Sequence, residues 1–202
     1  MKALPNLITG LRLALSLFVF FALAAAAGDI PGLDVSGGAI FALDRWAVVA
    51  FVLAAVTDFF DGWLARRLNA TSIWGAILDP IADKVLVCAT VLGLMALAAS
   101  PAVVVPAALI LFREFTISAL REATAGRVTL PVTLLAKWKT TLQLIALGAE
   151  LVVATWSALD LPPYPILAAT WIAHTLLWLA AAVTLITGAQ YLWQARKALA
   201  AG

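Results

Sequence analysis

The run LALSLFVFFALAAAA at 13–27 contains no charged residue. A stretch this apolar must be hidden from water, and a helix crossing the hydrocarbon of a bilayer needs about 20 such residues. Similar runs recur to the end of the chain, separated by Pro, Gly and clusters of charge. They predict helices over 5–27, 43–66, 75–99, 102–124, 131–157 and 165–195. Of the 202 residues, 64% are hydrophobic and 12% charged, where a soluble domain carries roughly 25% charged residues. The expectation is an all-α integral membrane protein, a single domain over 1–202 with about six transmembrane helices. Pro5, Asn6, Thr9 and Arg12 punctuate the approach to the first run. That approach reads as an N-terminal interfacial segment leading into a retained span, rather than as a cleaved leader.

The connections alternate in character. GDIPGLDVSGG (28–38), Ser100-Pro101 and DLPPYP (160–165) fall on one side, and RRLNATS (66–72) and REATAGR (121–127) on the other. With the N-terminus in the cytoplasm, Arg45 alone of the 13 Lys and Arg lies clearly outside. The bias of Lys and Arg toward cytoplasmic loops then places both termini in the cytoplasm. Trp46, Trp63, Trp74, Trp138, Trp156 and Trp193 fall near span ends, as a headgroup-level belt requires. The formal charge of +2 is too small to argue for nucleic acid. Cys88, the single cysteine, can form no intrachain disulfide and reads as a small buried apolar residue.

Against this background TDFFDGWLARR (57–67) and ILDPIADKV (77–85) stand out. Asp58 and Asp61, three apart, share a helix face that continues through Gly62, Ala65 and Arg66. Gly75, Asp79 and Asp83 keep an i, i+4, i+8 rhythm on the next helix. A short connection makes these helices antiparallel neighbours, so the four carboxylates can converge at the cytoplasmic end. Packed together they would repel one another, and ionised acids at membrane depth are costly and usually functional. Divalent metal answers both problems. Oxygen-only ligation suits Mg²⁺ or Mn²⁺, with room for two ions about 4 Å apart. Gly62, Ala65 and Gly75 clear space for a ligand to approach the backbone, or for two helices to pack closely, and Arg66 offers a fork suited to phosphate.

The pattern Asp58-x2-Asp61-Gly62-x2-Ala65-Arg66-x8-Gly75-x3-Asp79-x3-Asp83 resembles the signature of the CDP-alcohol phosphatidyltransferases, with no position departing from it. That family is integral to membranes, generally six-helical and often dimeric. Its members use divalent metal to displace CMP from a CDP-linked lipid by an alcohol. The resemblance implies metal ligation by Asp58, Asp61, Asp79 and Asp83, and a general-base role for Asp83. It further implies CDP-diacylglycerol contacts at Gly62, Ala65, Arg66 and Gly75, and a homodimer.

Downstream, REFTISALRE (113–122) stacks Arg113 and Arg121 roughly on one helix face, and KWKTTLQLIAL (137–147) opens with Lys137 and Lys139. Four cations flanking one membrane face suit an acceptor bearing a phosphate better than a neutral or cationic one. They are also what ordinary positive charge at a cytoplasmic helix end looks like. Glu114 and Glu122 can pair with these cations and hold the cluster together. With PNLITGLRL (5–13), the two segments resemble the bacterial branch of the family that uses glycerol 3-phosphate. This implies an inner-membrane enzyme with Arg113, Arg121, Lys137 and Lys139 on the acceptor phosphate, and Asn6 and Thr9 touching the donor. Other family acceptors, those leading to cardiolipin, phosphatidylserine or phosphatidylinositol phosphate, remain open. So do a membrane prenyltransferase, which gives no reason for Gly62-x2-Ala65-Arg66, and a divalent-cation carrier, whose acids belong nearer the midplane.

His174, the only histidine, lies in the last span away from the acidic cluster and reads as a packed or lipid-interface residue. Glu150 is an acid inside an apolar stretch to which the sequence assigns no role.

Overall fold

The computed structural model describes residues 3–68, 73–97, 99–123 and 134–200, with side chains at 7–57, 78, 80–97, 99–123 and 138–197. Among the described residues the chain forms six helices: α1 (Ala3–Ala27), α2 (Gly38–Leu68), α3 (Ile73–Leu97), α4 (Pro101–Ala123), α5 (Leu134–Ala154) and α6 (Ile166–Ala200). Among the described residues, five are long and apolar enough to cross a membrane. The other, α5, carries Lys139, Gln143 and Glu150 on its buried face. The N-terminal approach is continuous with the first span, as the opening turns of α1.

Local chemistry accounts for most of the helix ends. After Ala27 the chain turns at Gly28, whose φ is +80°. The Gly28 N–H donates to the Ala25 carbonyl at 3.1 Å and the Asp29 N–H to the Ala24 carbonyl at 3.0 Å, the paired closure of a Schellman motif. Helix α2 starts at Gly38, several residues before the predicted 43, because Gly37 at φ +55° supplies the turn. Pro101 opens α4, where its missing N–H costs nothing. Helix α5 stops at Ala154, short of the predicted 157, and gives way to turns that end at Asp160 with φ +53°.

The helices pack as two triads. In the first, α1 lies against both α2 and α3, which among the described residues touch each other only lightly. Over those residues α1 is a wedge between the two signature helices. A stripe on α1 makes the wedge: Thr9, Arg12, Ser16, Val19 and Leu23, spaced three and four apart, are all buried. At its apolar end, a Cβ on Gly93 of α3 would stand 2.5 Å from a Leu23 methyl, so glycine lets the backbones approach. In the second triad α6 lies against both α5 and α4. Lighter contacts of α3 with α4 and α5, and of α2 with α5, join the halves. At one end, Arg45 of α2 donates from Nε to the Ala158 carbonyl and pairs with the Asp160 carboxylate. The other end, where α2 and α4 finish and α3 and α5 begin, holds the residues singled out by the sequence.

Candidate active site

A cavity of about 310 Å³ opens between the triads at that end. Helix α3 lines one side with Pro80, Asp83, Lys84 and Val87. Arg113, Glu114, Ser118 and Arg121 of α4, Lys139 and Gln143 of α5, and Thr187, Gln190, Tyr191 and Gln194 of α6 line the rest. The structure therefore brings Asp83 together with Arg113, Arg121 and Lys139, four residues the sequence marked from three separate helices.

The other marked positions are placed by backbone alone. Asp58, Asp61, Gly62, Ala65 and Arg66 occupy the last turns of α2, and Gly75 and Asp79 the first turns of α3. Asn6 lies in the first turns of α1 and Lys137 in the first turn of α5. All these side chains lie outside the described residues. Thr9 is described and is 1% exposed.

Arg113, Arg121 and Lys139 have protein partners. Glu114 Oε1 pairs with the Arg113 guanidinium at 3.3 Å and with the Lys139 ammonium, and accepts a hydrogen bond from Gln143 Nε2 at 3.3 Å. Gln143 also donates to Thr184 Oγ1 at 2.7 Å. Arg113 Nε donates to the Thr184 carbonyl at 3.1 Å, and Nη2 to Thr187 Oγ1 at 3.3 Å. Gly188 is what allows this route. A Cβ there would lie 2.9 Å from Arg113 Cγ and 3.1 Å from Nε, so the arginine stem runs across α6 where a side chain is missing. Arg121 sits 5.6 Å from the centroid of the Tyr191 ring, within cation–π range.

The sequence reading of Glu114 as a partner for these cations holds, and its placement at the centre of three donors goes further. The contribution of α6 was not foreseen. Its signal is the spacing of Thr184, Thr187, Tyr191 and Gln194 at three and four, which puts these polar groups on one face of a mainly apolar helix. Lys84 and Arg12 were likewise counted only as cytoplasmic-side charge. Lys84 lines the cavity, while Arg12, 1% exposed, sets Nη1 3.2 Å from Asp83 Oδ1.

Among the described lining residues, four cations (Lys84, Arg113, Arg121, Lys139) face two carboxylates (Asp83, Glu114). An excess of positive charge in a recess at the membrane end suits a small phosphorylated ligand. The Asp83 side chain is 43% exposed and lines the cavity, an oxygen donor of the kind Mg²⁺ or Mn²⁺ takes. No group of three or more His, Cys, Asp or Glu that could hold a metal occurs among the described residues.

Away from the cavity, Glu150, 3% exposed, meets His174 Nδ1 at 2.8 Å between α5 and α6. His174, 24% exposed, fits the expectation of a packed or lipid-interface residue, and Glu150 gains in it a partner that the sequence did not suggest.

A model of the family described as CDP-alcohol phosphatidyltransferase matches residues 2–186. Among curated proteins, the chain is 40% identical to the CDP-diacylglycerol--glycerol-3-phosphate 3-phosphatidyltransferase of Cereibacter sphaeroides, over 77% of this chain and 82% of that protein. It is 42% identical to the protein of the same name from Rickettsia bellii, over 73% and 77%. With the one from Bacillus subtilis it shares 34% identity over 96% of this chain and 97% of that protein. A six-helix membrane bundle with the aspartate signature on α2 and α3, matched by the family model over most of its length, belongs to the CDP-alcohol phosphatidyltransferase family.

Proposed function

We propose that the chain transfers the phosphatidyl group of CDP-diacylglycerol to glycerol 3-phosphate, giving phosphatidylglycerophosphate and CMP. The observation that carries this reading is the cavity that faces Asp83 on α3 with Arg113, Arg121 and Lys139 on α4 and α5. Those cations would serve any phosphorylated alcohol, and the name carried by the relatives selects glycerol 3-phosphate among them.

In this reading Arg113, Arg121, Lys137 and Lys139 hold the acceptor's phosphate, and its free primary hydroxyl points at the lipid-bearing phosphorus. The hydroxyl oxygen bonds to that phosphorus, the bond to the CMP oxygen breaks, and Asp83 takes the hydroxyl proton. Gly62, Ala65, Arg66 and Gly75, with Asn6 and Thr9, form the donor side. Asp58, Asp61, Asp79 and Asp83 would hold Mg²⁺ or Mn²⁺, two ions in our reading, which when bound offset negative charge on the diphosphate and the leaving CMP. Holding donor and acceptor in line supplies much of the remaining acceleration. The Glu114 network contributes by fixing Arg113 and Lys139 before the acceptor arrives, so that little ordering cost falls on binding.

The distribution of Lys and Arg supports a bacterial inner-membrane location with both termini in the cytoplasm, and the family likeness supports a homodimer. The test is release of CMP by purified protein supplied with CDP-diacylglycerol, Mg²⁺ and a panel of acceptors: glycerol 3-phosphate, glycerol, serine, inositol phosphate and phosphatidylglycerol. Release should require glycerol 3-phosphate and stop with EDTA. Faster turnover with another acceptor would move the assignment within the family, and metal-independent release would remove the metal.

A further inference from the structure

Arg12 is 1% exposed, carried on the buried stripe of α1 one turn after Thr9. Its guanidinium meets Asp83, which is 43% exposed, at 3.2 Å. The two members of this pair lie in different surroundings. The cation is sealed among α1 and its neighbours, and the carboxylate stands at the cavity wall. A guanidinium is a rigid planar fork that directs a carboxylate as well as attracting it. The charge it carries cannot be moved away or screened by water.

We infer that Arg12 is a positioning residue: it orients the Asp83 carboxylate toward the cavity, and its fixed positive charge loosens the hold of the aspartate quartet on divalent cations. The inference rests on the metal-binding part of the proposed function. Four aspartates alone would bind dications tightly and leave little positive field for an arriving diphosphate. One buried cation behind Asp83 lowers the negative charge of the set without occupying a ligand position. With the polarisability typical of protein interiors, a single fixed charge 3.2 Å from one carboxylate of the set alters cation affinity by about tenfold or more. Cations held less tightly by the protein retain more of their field for the phosphate oxygens of the donor. The acceptor cations Arg113 and Lys139 sit on the other triad and have Glu114 as their own carboxylate partner.

The experiment compares wild type, Arg12→Gln and Arg12→Lys in detergent, reading Mn²⁺ binding from the free-ion paramagnetic resonance signal alongside kcat and KM. Arg12→Gln should bind Mn²⁺ about tenfold more tightly, while kcat falls about 100-fold as Asp83 loses its orientation. KM for glycerol 3-phosphate should stay within about threefold of wild type, because the acceptor cations keep their partners. A purely structural arginine would give the opposite sign, since a disordered carboxylate slackens metal binding. Unchanged or weaker Mn²⁺ binding in Arg12→Gln, or an unchanged kcat, overturns the inference. Should that variant not fold, Arg12→Lys decides. Keeping charge but not the fork, it should hold Mn²⁺ within about twofold of wild type with kcat about tenfold lower. Wild-type kcat or weakened Mn²⁺ binding in Arg12→Lys overturns the inference equally. A wild type that binds no Mn²⁺ at all overturns the metal reading itself.

Discussion

Along α1, Val19 and Leu23 share a buried apolar cluster with the small residues Ala47, Ala50 and Ala54 of α2, and Leu23 lies against Gly93 of α3. Across the bundle, α4, α5 and α6 meet through Glu114, Lys139, Gln143 and Thr184, and farther along through Glu150 and His174. Lipid tails are as apolar as leucine, so burial alone gives helices in a bilayer little reason to associate. Close packing at small residues and hydrogen bonds between helices remain. Among the described residues the first triad relies mainly on the former, with the Arg12–Asp83 pair at one end, and the second extends the latter along its length. In the proposed reaction the first triad carries the donor signature and the second the acceptor cations. A bulky lipid nucleotide is thus served by a closely packed scaffold with Asp83 at its edge, and a small anion by charges already held in a network.

This contrast can be broken at graded cost. Asp83→Asn should lower turnover by about 10³-fold, within the usual range for loss of a general base, and should also lower the unfolding temperature in detergent, because Arg12, 1% exposed, loses its charged partner. Turnover that falls only in step with the folded fraction would show Asp83 to be structural. Glu114→Ala comes next, because it leaves Lys139 and Arg113 as buried like charges without their shared carboxylate. Removing one member of such a buried pair costs about 3–5 kcal/mol, read as a lowered unfolding temperature together with a higher KM for glycerol 3-phosphate. Gly188→Val should push the Arg113 stem off α6 and raise that KM about tenfold, the effect of losing roughly one charge-assisted hydrogen bond, while KM for CDP-diacylglycerol stays put. Gly93→Ala tests the packed triad by placing a methyl against Leu23, at a cost of about 1–3 kcal/mol with KM for glycerol 3-phosphate unaltered. The smallest effect belongs to His174→Ala. The loss of its contact with Glu150 should cost about 1 kcal/mol, with kcat and both KM values unchanged.

The packed triad was the more legible of the two. Long charge-free runs fixed the number of helices to within a few residues at their ends, since the bilayer imposes a minimum length and Gly or Pro marks each turn. Arg113, Arg121 and Lys139 were marked because cations gathered at one membrane face suit an acceptor that bears a phosphate. Apart from Glu114 and its cations, what escaped was pairing across helices. Nothing local to α1 says that Arg12 reaches Asp83 of α3, and nothing in α5 ties Glu150 to His174. In a membrane helix the apolar faces point outward as well as inward, so the inward polar face is a weak signal. The wedge of α1 between α2 and α3 escaped for a related reason. A short connection says that two helices are antiparallel, but it does not say that they touch.

Helix α6 has 35 residues, about 52 Å at the rise of an α-helix, against roughly 30 Å of hydrocarbon. Its final turns therefore extend past the oily layer, and they bear Gln190, Tyr191 and Gln194, with Lys197 4.9 Å from the Trp193 ring. The two substrates then need not share a route. A water-soluble phosphate ester can descend along this protruding wall from the aqueous phase, while a two-tailed nucleotide drifts in sideways without leaving its leaflet.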